Sequence, residues 1–243
     1  MTKQVKRVHL GCGLTTPAGW INVDGSWNAG LAKHPYLRRA LHALRILPGE
    51  KFAVPWRSDI LIHDVTKPLP FPDSSVGEIY SSHMLEHLYF EEAKRLLEEC
   101  FRILQAGGVL RMVVPDLRAF ITEYLGEKPV GDSSGERAPV TPADRLNERL
   151  LLRPAARGSG GLLGIYAALK DFHSHKWMYD ADSLAAHFQR AGFAEVQAMP
   201  FQDSRIHGIE EVEQASRVLN GEGICVEGVK PGSESNKTFA GKP

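Results

Sequence analysis

Short apolar runs, each broken by glycine, proline or a small polar or acidic residue, punctuate the first half of the chain and constrain its fold more than any other feature. Val5–Leu10 is β-prone and stops at Gly11-Cys12-Gly13. Trp20–Asp24, Asp59–Val65, Val76–Ser82 and Val109–Val114 follow, the last closed by Pro115. Strands this short and this apolar, interleaved with loops and helices, predict a parallel sheet covered on both faces. Between the fourth and fifth runs, Phe90–Leu104 sets Ala93, Leu96, Leu97, Cys100, Phe101 and Leu104 on one side, the spacing of an amphipathic helix. Ala106-Gly107-Gly108 ends it.

The rest of the chain is less regular. Leu37, Leu41, Leu44 and Leu47 suit one face of a helix within Leu31–Leu47, stopped by Pro48-Gly49. The pattern weakens over about 125–175, which we take as an inserted cap with a helix near Pro142–Leu152. Its arginines, Arg137, Arg145, Arg149, Arg153 and Arg157, are expected on a solvated face, with recognition of a phosphate or carboxylate on a substrate as the alternative. Ser183–Ala191 reads as a helix closed by Gly192, and Glu195–Met199 and Ile224–Val229 as two final strands. The expected organisation is a single domain over 1–230 with a polar, glycine-bearing tail over 231–243.

Size and charge narrow the function. A chain of 243 residues can bury one sizeable core. The 29 basic and 29 acidic residues balance, so nothing global asks for nucleic acid, whose phosphates are usually met by a basic excess. Cys12, Cys100 and Cys225 are odd in number and widely spaced, which argues against a disulfide framework or a cysteine-rich zinc site. No apolar run approaches the ~20 residues that span a bilayer. We expect a cytoplasmic protein with no membrane span; its oligomeric state is not legible.

In a parallel sheet, ligands sit beyond the carboxyl ends of the strands. There this sequence carries Gly11–Gly13, Asp24, Asp64, Ser81–His83 and Asp116. A glycine turn lets a ligand approach the backbone and offers free N–H groups. A carboxylate ending the second strand can accept two hydrogen bonds from vicinal ribose hydroxyls, and one after the third strand can accept from an adenine amino group. Each aspartate could equally cap a turn. Asp116 is either a base or a cap for the segment starting at Leu117.

These blocks together resemble the Rossmann-like, S-adenosylmethionine (SAM)-dependent methyltransferases. Val8-His9-Leu10-Gly11-Cys12-Gly13 is similar to their first motif, and Asn22-Val23-Asp24 to their acidic second strand. His63-Asp64-Val65 with Leu69-Pro70-Phe71-Pro72-Asp73 is similar to their adenine-side block. Ile79–Leu88, with its Leu85-Glu86-His87, and Ala106–Val114 resemble the fourth and fifth strand blocks. The sequence departs from that pattern at His9, often an acid, and at Thr15, often a third glycine.

The resemblance implies an α/β fold, a Rossmann-like mostly parallel sheet with helices on both faces and an inserted cap. It implies SAM as cofactor, with Gly11, Cys12 and Gly13 along the methionine part, Asp24 at the ribose, Asp64 and Val65 at adenine, and Ser81 beneath the sulfonium. Gly19-Trp20-Ile21-Asn22-Val23-Asp24 and the late His175-x-Trp177-Met178-Tyr179 resemble a bacterial branch linked to cell-surface sugars and polysaccharide biosynthesis. The acceptor expected from it is a small molecule or glycan, methylated at oxygen, with His83 or His175 removing the proton.

Other readings compete. His83-Met84-Leu85-Glu86-His87 matches the His-x-x-Glu-His zinc-protease pattern, but it follows a strand and lacks an assignable third ligand, so no metal ligand is assigned. His173, His175, Trp177 and Tyr179 are either a substrate-facing cluster or aromatics packed into the core. A nicotinamide dehydrogenase would carry the fuller Gly-x-Gly-x-x-Gly, and Thr16 stands where its third glycine belongs. A non-catalytic interaction protein on the same fold would keep the core without an acceptor site.

Overall fold

The computed structural model describes residues 5–47, 49–126, 141–151 and 174–232. Its centre is a seven-stranded sheet made of β1 (Arg7–Leu10), β2 (Trp20–Asp24), β3 (Leu61–Ile62), β4 (Val76–Ser82), β5 (Leu104–Val114), β6 (Ala194–Met199) and β7 (Ile224–Val229). The order is β3-β2-β1-β4-β5-β7-β6. β1 to β5 run parallel, and β7 enters antiparallel between β5 and β6. The mostly parallel α/β sheet expected from the strand pattern is therefore what forms. The parallel strands share one carboxyl edge, where Gly11, Gly25, His63, His83 and Pro115 emerge.

Alternation along the strands divides the core. Val8, Leu10, Ile79, Leu110, Met112 and Val226 face α4 (Phe90–Ile103) and α7 (Ala181–Arg190). α4 contributes Ala93, Leu96, Leu97, Cys100 and Ile103, the stripe its periodicity predicts. Glu92 closes its first turn by accepting from Tyr89 N at 3.0 Å. Gly192, with φ +100°, follows the C-cap of α7 in the left-handed position that glycine accepts without strain. The opposite face of the sheet, with Trp20, Tyr80, Val113 and Cys225, is covered by the connection from β6 to β7 through Ile206, Ile209, Val212 and Val218. That connection includes α8 (Ala215–Val218).

Arg111, on β5, is wholly buried under this second face, and all five of its N–H donors are used. Nε and Nη2 grip Glu213 at 2.8 and 2.9 Å, while Nη1 meets Glu227 at 3.0 Å. The remaining two go to the carbonyls of Asp203 and Pro200, each at 2.9 Å. Glu227 also accepts from Ser204 Oγ and Arg205 N, and Glu213 from Gln202 N. This network pins the β6–β7 connection to the sheet.

Three elements differ from the sequence expectation. The third strand shortens to Leu61–Ile62, because only Val23 and Asp24 of β2 lie beside it. The Leu31–Leu47 helix is two pieces, α1 (Trp27–Ala32) and α2 (Pro35–Ala43), interrupted where Pro35 cannot donate to a continuing helix. α2 buries none of its residues, so its leucine stripe marks no core face. α5 (Leu117–Gly126) precedes the expected cap, and of the cap itself the main described part is α6 (Pro142–Leu150), capped by Thr141 and Asp144. Arg137, Arg153, Arg157 and His173 lie outside the described residues, as does 233–243 of the expected tail. Among the described residues no helix is long and apolar enough to cross a membrane.

Candidate active site

Residues 11–19 join β1 to β2 through turns alone, with no helix between the parallel strands. Gly11 and Gly13 both take positive φ, +65° and +54°. At Gly11 a Cβ would stand 2.6 Å from Met84 Cγ, so this glycine lets Met84 close over the turn. At Gly13 a Cβ would meet nothing within 4 Å, so the turn opens outward there. Gly11→Ala, which must adopt left-handed backbone and push Met84 aside, is expected to cost about 1–2 kcal/mol in a denaturant melt.

Asp24 closes β2 and is nearly buried. Its Oδ2 accepts from Gly13 N at 2.9 Å and its Oδ1 from Ser26 N at 2.7 Å. Each oxygen keeps a second lone pair. The carboxylate thus holds the glycine turn in shape. Gly25 beside it has no room for a side chain, since a Cβ would lie 2.8 Å from the His63 carbonyl. Asp64, after β3, is exposed and accepts from Thr66 N and Oγ1 at 3.0 and 2.7 Å. Val65 is half-buried beside it. Ser81 is buried at the end of β4, and its Oγ has no hydrogen-bond partner among the described residues.

One expected contact, Cys12, is qualified, and the departure at His9 is explained. Cys12 is buried against Ala29 and Ile60, burial pushes its thiol up to about 12, and the thiol donates to Gly13 O at 3.7 Å, so the side chain braces the turn from inside. His9 points to the second face of the sheet beside Trp20 and Tyr80, where burial holds it down at about 4.

These groups fit SAM. Open glycine backbone, a carboxylate at the end of β2 and an unpartnered buried hydroxyl at the end of β4 line one edge, on the side that a ligand of a parallel sheet occupies.

A second feature adjoins them. His83 follows β4 with φ +50°, unusual for a side chain of its size. Its N donates to Val113 O and its Nε2 to Arg217 O, both at 2.9 Å. The turn Leu85–His87 then carries Glu86, fully buried, into the midst of three histidines. Glu86 Oε1 lies 3.6 Å from His83 Nδ1, 3.8 Å from His87 Nε2 and 4.0 Å from His175 Nε2. Neither Glu86 oxygen has a hydrogen-bond partner among the described residues. Burial pushes this carboxyl up to about 8 and holds His83 and His175 down at about 4. These residues line a cavity of about 430 Å³, walled by Pro115, Phe120, Arg149, Ser216 and Arg217. His83 faces the cavity while its neighbour Met84 packs on Gly11, so cavity and glycine turn meet at this dipeptide.

Of the remaining candidates, Asp116 caps: its Oδ1 accepts from Arg118 N at 2.9 Å. Tyr179 is buried in the core and Trp177 packs on Phe90, while His175 reaches the cavity. Arg149 is not on a solvated face. It pairs with Glu123 and Glu222, lies 4.2 Å over the Phe120 ring and lines the cavity. Sequence reasoning missed Glu86 as the centre of this cluster, although the flanking histidines of His-x-x-Glu-His signalled it.

A family model described as a methyltransferase domain matches residues 9–112. No curated protein matches the sequence. Among solved structures, a Thermotoga maritima SAM-dependent methyltransferase is similar at 18% identity, over 93% of this chain and 81% of that one, with a TM-score of 0.45. A Mesorhizobium loti SAM-dependent methyltransferase is similar at 21%, over 93% and 91%, with a TM-score of 0.42. The family match covers the glycine turn, Asp24 and most of the first five strands of the sheet, so residues 9–112 are similar to a methyltransferase domain.

Proposed function

We propose that the protein methylates an oxygen of a polar small-molecule or glycan acceptor bound in the His83–Glu86–His175 cavity. The observation that carries this is the meeting of that cavity with the glycine turn at His83-Met84, which sets an acceptor site beside the cofactor site. The walls mix Arg149, Arg217, Glu222 and the histidines with Pro115, Phe120 and Leu151, which suits a ligand that carries hydroxyls on an apolar frame. A role in polysaccharide biosynthesis, in the cytoplasm, is consistent with the sequence resemblance and rests on it.

Bound SAM supplies an electrophilic methyl group on its sulfonium. The chain's part is to hold and align. Gly11, Gly13 and the Cys12 backbone would follow the methionine part, Asp24 the ribose, Asp64 and Val65 the adenine, and Ser81 Oγ the space beneath the sulfonium. His83 and His175 would face the acceptor oxygen. His83 is held by its Arg217 bond, so its Nδ1 has one direction. Its strained backbone supports a positional role, since such strain persists only where the surroundings impose it.

The test is methyl transfer from SAM to a panel of hydroxylated small molecules and oligosaccharides. His83→Ala should lower turnover about 10²–10⁴-fold with SAM affinity unchanged, the range for a group that handles the acceptor proton. Equal turnover in His83→Ala removes that role. Failure of every hydroxylated acceptor, with SAM bound, removes the oxygen assignment.

A further inference from the structure

We infer that Glu86, His87 and His175 form a binding site for a divalent first-row transition cation, zinc by the chemistry of the donors, at the floor of the acceptor cavity. The site rests on reading that cavity as the acceptor's, but its ligands stand on their own geometry. One ligand atom from each residue lies within 4.8 Å of the other two. Two imidazoles and a carboxylate are the donor set of catalytic zinc sites, which keep a further position open.

Three observations support a cation there. First, Glu86 is fully buried, yet neither oxygen accepts a hydrogen bond from any described residue. A buried carboxylate without a donor is costly, and an unexplained one points to a missing ion. Second, the ligand His87 is oriented as metal-binding histidines are. Its Nδ1 lies 3.1 Å from the Ser174 carbonyl, which can only accept, so the proton is on Nδ1 and the Nε2 lone pair turns to Glu86. Third, the separations are too long for hydrogen bonds but near the edge of a coordination shell. Ligands about 2.0–2.1 Å from a tetrahedral zinc stand roughly 3.3–3.4 Å apart, and here Glu86 Oε1 lies 3.8 and 4.0 Å from the two imidazoles. The carboxylate must close on each imidazole by about half an ångström, and the imidazoles, whose ligand atoms lie within 4.8 Å of each other, must draw together further around the ion.

The backbone holds the ligands in place without the ion. The Glu86 carbonyl accepts from Lys176 N at 2.7 Å and Trp177 N at 3.2 Å, which ties the His175 segment to the Glu86 turn. His175 N donates to Leu151 O at 2.9 Å, so the cap contributes as well. The three ligands all border the cavity, so the ion's open position faces an acceptor. On this inference His175 acts through the cation and His83 remains beside the acceptor. The ligand class it selects is an oxygen donor, a hydroxyl or carboxylate able to bind a Lewis acid. A zinc protease does not follow, because Glu86 is here a ligand between the histidines and not a free base on a helix.

The experiment titrates chelator-treated, full-length protein with CoCl2 by visible absorption and with ZnCl2 by calorimetry. We expect one-to-one saturation and the intense bands of a low-coordinate cobalt ion. Glu86→Gln and His175→Ala should each weaken binding more than about a hundredfold, while His34→Ala, at an exposed histidine, leaves it unchanged. SAM affinity reports that each variant is folded. Absence of saturable binding by the wild type, or a cobalt spectrum of the hydrated ion, overturns the site whether or not the variants fold. Equal binding by wild type and both variants overturns it too. Methyl transfer measured with chelator separates the two proposals: transfer without metal binding removes the cation and keeps the acceptor reading, and metal binding without transfer does the reverse.

Discussion

Arg111→Met is expected to be the most damaging single change in the protein, lowering its stability by about 3–5 kcal/mol, the range for leaving buried charges without their partner. The side chain is replaced by one of similar length, so little volume is lost. What goes is all five donated hydrogen bonds and the guanidinium that stands between two carboxylates that are themselves fully buried. Glu213 keeps Gln202 N, and Glu227 keeps Ser204 and Arg205 N, which offsets part of the loss. Domains have only about 5–15 kcal/mol in all, so much of the variant should populate unfolded or partly open states. Arg111→Lys should recover a minority of the stability, because an ammonium cannot grip Glu213 with two parallel bonds. Urea denaturation of the three proteins decides it. A loss below about 1 kcal/mol for Arg111→Met would mean that this network does not hold the fold together.

The second large effect is on cofactor binding. Asp24→Ala is expected to weaken SAM about tenfold to a hundredfold by calorimetry, the equivalent of one or two hydrogen bonds to a charged group. The carboxylate acts twice. On the proposed role it accepts from the ribose, and in the protein alone it already holds Gly13 N and Ser26 N. Removing it therefore loosens the turn that meets the methionine part as well. Asp24→Asn tests the division. Its amide presents one acceptor and one donor, so it can hold one of the two backbone N–H groups but not both. It should fall between wild type and alanine. Affinity unchanged in Asp24→Ala would place the ribose elsewhere on the edge.

Much of this was legible in the sequence because it is local. Glycine and aspartate at strand ends mark the ligand edge, and the 3.6-residue period over Phe90–Ile103 marks a helix that packs on the sheet. The shortened third strand was not legible, because its extent is set by what lies beside it. The split of the 31–47 region was signalled by Pro35, but not that the periodicity of α2 has no core to face. The site divides the same way. Gly11, Gly13 and Asp24 are drawn together by one loop, so their roles follow from their order. Glu86 and His175 are 89 residues apart in sequence, and Arg111 finds its carboxylates 102 and 116 residues away. Such pairings depend on topology that no local pattern carries. Arg111 reads from sequence as a charge within an apolar strand, with no sign of which residues neutralise it.

The position of β7 carries a consequence for how the chain is assembled. Strand β6 is made before β7, yet among the described residues its one hydrogen-bonded neighbour in the sheet is β7. Until Ile224–Val229 arrives, β5 presents an open edge of unpaired backbone N–H and C=O groups, the kind of surface that pairs with other molecules. The sheet is thus closed by one of its last segments in sequence, after a connection whose loop entropy has to be met first. During synthesis, the half that holds the glycine turn can form early, while the finished sheet waits for the ribosome to pass residue 229. A chain released before that point keeps every group proposed to touch SAM and lacks the strand that shields β5 from its neighbours.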